Sequence, residues 1–168
     1  PRLEPCKIDP KVAFEKYGER WYEIGASYWS RQEASMDGML GGFPEVSETD
    51  IANSCKILEQ LKNERGIGSE RCADVGAGIG RVSQLCLSKF FKAIDLVDPV
   101  EKFLRKAEKN LLDIDAEIRT FACGAQDWKI EEKYDCFWVQ WTLLFLKDDD
   151  AVKFLQKCKE HLRKKGYI

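Results

Sequence analysis

The 168-residue sequence is poor in the residues that build metal sites and disulfide frameworks. It has a single histidine, His161, and its seven cysteines are odd in number and include no C-x-x-C pair. Structural zinc sites and disulfide-rich secreted domains need closely spaced ligands or an even set of cysteines. We therefore expect no bound metal, and we expect most of the cysteines to be small core residues in a reducing compartment.

Long apolar runs and an excess of one charge are also missing. No stretch of about 18 apolar residues occurs, so the sequence predicts no transmembrane helix. Residues 1–12 lack the apolar core of a signal peptide. The net charge is −2, so nothing predicts direct binding to nucleic acid or to a membrane surface. With 44% apolar and 33% charged residues, the composition is that of a globular domain.

The first third of the chain predicts helices and one glycine-rich loop. Residues 1–10 contain prolines and no periodicity, and they predict a flexible tail. Apolar residues recur at helical spacing over residues 11–31. Residues 36–46, with three glycines and a proline, predict a loop. Ser47 and Asp50 resemble a capping box that opens the next helix.

From residue 67 onward, short apolar runs alternate with amphipathic segments, which predicts a parallel sheet with helices on both faces. The predicted strands cover residues 71–75, 93–97, 117–123 and 134–141, and a fifth begins at 167–168. The predicted helices cover residues 81–90, 100–111 and 148–165. The last helix opens with acidic residues and closes with basic residues before Gly166.

The loop after the first predicted strand, DVGAGIGR, predicts a nucleotide site. Gly76 and Gly78 have no Cβ, so a ligand can approach the backbone closely, and the helix N-terminus behind them favours negative charge. A dinucleotide fingerprint needs a small residue where this chain has Arg81. A guanidinium suits a free carboxylate instead, such as that of S-adenosylmethionine. An NAD oxidoreductase is the more distant alternative.

Two further segments follow predicted strands. Asp98 ends the second strand, where a carboxylate can accept hydrogen bonds from both ribose hydroxyls. Taken alone, it could also be a turn residue before Pro99. Residues 125–128 follow the third strand, where an acceptor or amide could meet the adenine edge, although an ordinary loop is an equal interpretation.

Four motifs, YW…DGMLGG, DVGAGIGR, CGAQDW and WVQW, together resemble the protein N-terminal methyltransferases. These enzymes methylate the α-amine of proteins that begin Xaa-Pro-Lys after removal of Met. The similarity runs from about Tyr28 to the end of the chain. It implies a Rossmann-like class I methyltransferase of the α/β class with extra N-terminal helices, S-adenosylmethionine as cofactor and S-adenosylhomocysteine as product. It also implies an N-terminal peptide as partner, and we expect the protein in the cytoplasm and the nucleus.

The resemblance implies roles for individual residues. Together with the glycine loop, it gives a cofactor-binding set of Gly76, Gly78, Arg81, Asp98, Pro99, Ala125, Gln126 and Gln140. The implied substrate channel is formed by Trp29, Leu40, Gly41 and Trp141, with Tyr28 beside it. Trp21 is predicted to belong to the core. We divide the chain into a tail (1–10), an N-terminal helical cap with a substrate-lining loop (11–66) and a cofactor-binding α/β core (67–168).

Two departures from the family leave the catalytic base unassigned. Phe145 stands where the family has a histidine implicated in accepting the amine proton. The chain ends at Ile168, before the family's acidic and amide residues for the substrate amine. Because the sheet would stop before its last strands, we expect a longer natural protein, a splice form or a fragment. Asp37 is a remote candidate base, although a solvated loop aspartate is the simpler interpretation.

Two other functions remain open at this stage. The first is a methyltransferase that uses the same cofactor on a small molecule. The second is a catalytically weak or inactive relative that acts by binding, an interpretation that Phe145 favours.

Overall fold

The computed structural model describes residues 17–168. The predicted tail at residues 1–10 and the start of the first predicted helix lie outside this range. A short 3₁₀ turn (Gly18–Arg20) leads into α1 (Trp21–Arg31), α2 (Met36–Met39) and α3 (Val46–Gln60), and α3 continues into a π-helical turn (Leu61–Arg65). The remaining elements are β1 (Arg71–Val75), α4 (Arg81–Leu85), β2 (Ala93–Val97), α5 (Glu101–Asn110), β3 (Glu117–Phe121), β4 (Tyr134–Val139), α6 (Asp148–Glu160) and β5 (Leu162–Tyr167).

The five strands form one parallel sheet in the order β3-β2-β1-β4-β5. Val75 at the end of β1 pairs with Val97 of β2 and with Val139 of β4, and Val97 pairs with Phe121 of β3. The carboxyl ends of four strands therefore lie level with one another. The chain runs outward from β1 in both directions, and such a reversal opens a crevice beyond the strand ends.

Apolar side chains cover both faces of the sheet, as the sequence predicts. Cys72 and Ile94 point to one face and pack in a cluster with Leu58 of α3 and Leu104 of α5. On the opposite face, a second cluster contains Ala73, Val97, Phe137 and Phe154, the last from α6. Successive residues of a strand point to opposite faces, so continuous apolar strands are covered on both sides.

The N-terminal segment differs from its prediction in two places. Residues 36–39 form the short helix α2 within the predicted loop, and Ser35 caps it by accepting a hydrogen bond from the Gly38 backbone N–H at 3.1 Å. The predicted capping box is wrong. α3 begins at Val46 without a side-chain cap, and the side chains of Ser47 and Asp50 bond to Arg81 instead.

The C-terminal segment also differs. α6 ends at Glu160, and the basic residues predicted to close it belong to β5, which pairs with β4 through Leu162 and Tyr167. Lys165 adopts φ 63° where the pairing shifts register. Tertiary pairing therefore overrides the helix-end pattern that the charges suggest.

Three other elements end earlier in the structure than the sequence predicts. The predicted helix 81–90 divides into α4 and a 3₁₀ turn (Leu87–Lys89), and β3 and β4 each end two residues early. None of the helices within residues 17–168 combines the length and the apolar character needed to span a bilayer.

Candidate functional site

A cavity of about 550 Å³ lies beyond the carboxyl ends of the strands. The loops after β1, β2, β3 and β4 line it, and α1 and α2 close one side of it. Its volume is in the range of cavities that hold nucleotide-sized ligands. Among the residues predicted from the sequence, it brings together Gly76, Gly78, Arg81, Asp98, Pro99, Ala125, Gln126, Gln140, Trp29, Leu40 and Trp141.

The glycine loop turns sharply at the end of β1. Gly76 and Gly78 have φ values of 76° and 55°, in the left-handed region that other residues rarely adopt. The Gly76 backbone N–H donates to the Val97 carbonyl at 2.8 Å, which holds the loop against β2. A Cβ on Gly76 would lie 2.0 Å from the Thr142 hydroxyl, and a Cβ on Gly78 would lie 2.9 Å from the Met39 sulfur. Gly76 therefore needs to be glycine, and a side chain at Gly78 would be strained and would displace Met39.

Asp98 follows β2 and is only 7% exposed. Its Oδ2 accepts from the Gly78 backbone N–H at 2.9 Å, and its Oδ1 accepts from the Val100 backbone N–H at 2.8 Å. Burial raises the pKa of Asp98 to about 6, although the two backbone donors favour the ionised form. The carboxylate is thus fixed at the cavity wall, and each oxygen retains a lone pair for a ligand hydroxyl.

We expect cofactor affinity to fall as the pH drops below about 6, the raised pKa of Asp98. Ribose hydroxyls donate to the ionised carboxylate, so bound cofactor lowers this pKa and protonation opposes binding. The loss should approach about tenfold per pH unit below that value. Calorimetry with S-adenosylhomocysteine across this range measures it, and Asp98→Asn should flatten the profile. An unchanged slope in that variant would assign the titration to another group, of which Asp74 is the first to consider.

Asp74 is a second buried carboxylate at the cavity wall. Its Oδ2 accepts from the Ser83 hydroxyl at 2.6 Å. Burial raises the pKa of Asp74 to about 6 as well, although the hydrogen bonds from Ser83 favour the ionised form. Within residues 17–168, no group of three histidine, cysteine, aspartate or glutamate side chains is arranged to hold a metal ion.

Arg81 and Gln140 reach the cavity from the loops after β1 and β4. Arg81 Nη2 forms an ion pair with Asp50 Oδ2 at 2.5 Å, and its Nη1 donates to the Ser47 hydroxyl at 3.3 Å. The Gln140 amide donates to Asp50 Oδ1 and accepts from the Trp138 indole N–H at 2.9 Å. Sequence reasoning missed this role of Asp50, because it assigned the residue to a helix cap.

The segment predicted to face the adenine follows β3. Ala125 is buried and, together with Gln126, lines the cavity. The Gln126 side-chain amide donates to Asp127 at 2.8 Å. Trp128 packs in the core below, where it anchors the segment against Tyr134 and Phe137.

Aromatic side chains form another part of the cavity wall. The rings of Trp29 and Phe145 meet edge to face at 5.7 Å. Trp21 was predicted to be core, but it lines the cavity and its indole N–H donates to the Phe145 carbonyl at 2.7 Å. Trp21, Gly25 and Trp29 are spaced by four residues, so one face of α1 forms this wall. The spacing was the signal that could have placed Trp21 there.

Three predicted residues lie outside the cavity lining. Tyr28 is exposed and packs edge to face on Trp29 at 5.4 Å, which places it beside the channel. Gly41 follows the lining residue Leu40 in a turn with φ 61°. Asp37 is exposed on α2 and is not brought to the site. The cofactor and substrate roles of all the predicted site residues, including Tyr28 and Gly41, stay predictions.

A glycine loop after β1, an acidic residue after β2 and a shared cavity at the switch point of a parallel sheet are typical of Rossmann-like nucleotide-binding proteins. Arg81, in place of a third small residue, favours the class of S-adenosylmethionine-dependent methyltransferases over dinucleotide-dependent enzymes. The residues fit this cofactor, because the buried Asp98 carboxylate and the Arg81 guanidinium line the cavity and offer an acceptor and N–H donors. The model of the family described as AdoMet-dependent proline di-methyltransferase matches residues 17–168, and the chain belongs to this family.

Individual relatives agree with this assignment. The chain is 37% identical to N-terminal Xaa-Pro-Lys N-methyltransferase 1 of Danio rerio, over 99% of this chain and 73% of the relative. It is 38% identical to N-terminal Xaa-Pro-Lys N-methyltransferase 1-B of Xenopus laevis, over 89% of this chain and 69% of the relative. A solved S-adenosylmethionine-dependent methyltransferase of Leishmania major matches with a TM-score of 0.80 and 32% identity, covering 87% of this chain and 58% of that structure.

Proposed function

We propose that this chain transfers methyl groups from S-adenosylmethionine to the α-amino group of proteins that begin Xaa-Pro-Lys. The observation that carries the proposal is that one cavity is lined both by the Asp98 carboxylate and by the Trp29 and Trp141 side chains. The chain belongs to the proline di-methyltransferase family, and the relatives named for Xaa-Pro-Lys methylation support the choice of substrate.

The polar side chains of the cavity match two parts of the cofactor, its ribose and its amino-acid end. Asp98 would accept hydrogen bonds from the ribose hydroxyls, and Arg81 and Gln140 would hold the amino-acid end. Bound S-adenosylmethionine supplies an electrophilic methyl group on a sulfonium. The protein supplies position, because holding nitrogen and methyl in near-attack geometry can provide most of the acceleration.

The aromatic side chains of the cavity suit a narrow cationic peptide terminus. Trp29 and Trp141 offer broad, rigid apolar faces to a proline ring. The same faces attract a positively charged nitrogen, including the quaternary amine that full methylation produces.

No histidine is available for proton removal at position 145. The Phe145 ring packs on Trp29 instead. Ordinary α-amines titrate with pKa values of about 7.7–8.0, so a useful fraction is unprotonated at neutral pH. We propose that the described part of the chain works mainly by positioning an amine that has already lost its proton.

Mass spectrometry of a peptide with a free Xaa-Pro-Lys terminus tests the function. We expect the mass to increase in methyl steps when the chain and S-adenosylmethionine are present. The same peptide with an acetylated α-amine should not react, and a version with alanine in place of proline should react more slowly.

Two outcomes would reject the proposal. Transfer to a small metabolite amine but to no peptide would identify a small-molecule methyltransferase. Cofactor binding without any transfer to the peptide would identify a relative that acts by binding.

We also propose that the protein acts in the cytoplasm and the nucleus, where thiols stay reduced. Its free cysteines support this: within residues 17–168, Cys72, Cys86, Cys136 and Cys158 are buried, and Cys55 and Cys123 are partly buried. Imaging of the tagged protein in cells tests the location, and a secreted product would contradict it.

A further inference from the structure

Asp50 of α3 connects two residues of the cofactor site that come from different loops. Its Oδ2 pairs with Arg81 Nη2 at 2.5 Å, and its Oδ1 accepts from the Gln140 amide. The side chains of Asp50 and Arg81 are 13% and 11% exposed. An ion pair with so little water around it is screened much less than a surface pair.

The neighbours of this pair fix its orientation. Ser47 lies one helical turn before Asp50, so both side chains face Arg81, and the Ser47 hydroxyl accepts from Nη1 at 3.3 Å. The Trp138 indole N–H donates to the Gln140 amide oxygen at 2.9 Å, which leaves the amide N–H groups to point at Asp50. Each polar group in the chain of contacts thereby has a determined direction.

We propose that Asp50 is a positioning residue that holds the Arg81 guanidinium and the Gln140 amide ready for the amino-acid end of the cofactor. The proposal rests on the assignment of Arg81 and Gln140 to that end, and not on the identity of the methyl acceptor. A guanidinium has five N–H donors, so Arg81 retains donors for a ligand carboxylate after bonding to Asp50 and Ser47. Without Asp50, the long Arg81 side chain would have to be ordered by the cofactor itself, which weakens binding.

The test compares two ligands that differ only at the amino-acid end. S-adenosylhomocysteine has that end, whereas methylthioadenosine lacks it and keeps the ribose and adenine. We expect Asp50→Asn to weaken S-adenosylhomocysteine binding by about tenfold in calorimetry, which is the scale of one coupled polar contact. Methylthioadenosine binding should stay within about twofold of the unaltered protein.

Glu48→Gln is the matched control, because Glu48 lies on the same helix and is exposed. It removes the same charge without touching Arg81, and it should change neither affinity. Equal weakening of both ligands by Asp50→Asn would indicate a general structural role and overturn the proposal. Unchanged binding of both ligands would overturn it as well.

A double-mutant cycle adds a second readout. If Asp50 acts through Arg81 and Gln140, then Asp50→Asn should have little further effect on S-adenosylhomocysteine binding when both Arg81 and Gln140 are replaced by alanine. Additive losses in that background would show that Asp50 acts independently of both residues and would contradict the positioning role. Because every readout is cofactor binding, failure here is distinguishable from failure to methylate an Xaa-Pro-Lys peptide.

Discussion

Replacing Asp98 with alanine is expected to abolish measurable cofactor binding while leaving the sheet folded. The carboxylate would accept from both ribose hydroxyls, and hydrogen bonds to a charged group contribute about 1.5–3 kcal/mol each. Losing two of them corresponds to a loss of more than about 100-fold in affinity. The variant also leaves the Gly78 and Val100 backbone N–H groups without their acceptor, so the glycine loop becomes less ordered. Calorimetry with S-adenosylhomocysteine measures the affinity directly.

Thermal unfolding separates this effect from loss of the fold. Asp98 is buried with a pKa raised to about 6, so its ionised form is costly for the folded protein near neutral pH. Alanine removes the cost of burying an ionised carboxylate, which stabilises the fold. It also removes the two hydrogen bonds from backbone N–H groups, which destabilises the fold, so the two changes oppose each other. We expect a small shift in melting temperature in Asp98→Ala. Unchanged affinity in a folded variant would show that the cofactor does not use this carboxylate.

The parts of the fold that the sequence predicted well are those that local pattern determines. Residues 71–75 and 93–97 are short, apolar and followed by glycine or aspartate, and both are strands with the predicted bounds. The cavity-facing positions of Gly76, Arg81 and Asp98 follow from this, because the loops after level, parallel strands converge. Once the strands are located, the positions of these three residues at the cavity are determined.

The errors concern contacts between residues distant in sequence. Ser47 and Asp50 have the spacing of a capping box, and only the approach of Arg81 from the loop after β1 gives them another use. Residues 162–165 carry the charges of a helix end, and only pairing with β4 makes them a strand. Neither partner can be identified from spacing within one segment.

The sequence patterns also did not predict a buried aspartate within the sheet. Asp95 lies in the middle of β2, is fully buried, and accepts from Arg71 at 2.7 Å and from Arg119 at 2.6 Å. The Tyr134 hydroxyl also donates to it, at 2.5 Å. An aspartate within an apolar run interrupts the strand pattern. Its burial is explained only by the hydrogen-bonding partners that neighbouring strands supply.

Replacing Trp141 is the second change for which we expect a large effect, in this case on peptide binding. The side chain is 62% exposed, and its backbone has φ 57°, which is costly for any residue with a Cβ. A large, exposed apolar residue held in a strained conformation at a cavity wall contributes little to folding, and we infer from this that it takes part in binding. We expect Trp141→Gly to raise KM for an Xaa-Pro-Lys peptide by at least about tenfold, the scale of a lost aromatic contact. S-adenosylhomocysteine affinity should stay within about twofold.

The backbone conformation supplies an internal check on this prediction. Glycine accepts the left-handed conformation at Trp141 without strain, whereas alanine does not. Trp141→Gly should therefore unfold at a higher temperature than Trp141→Ala, by a few degrees if about 1 kcal/mol is recovered. Phe43→Ala is the matched control, since Phe43 is 61% exposed and does not line the cavity. Equal losses of peptide and cofactor binding in the Trp141 variants would place this residue in the shared architecture of the site and remove it from the substrate channel.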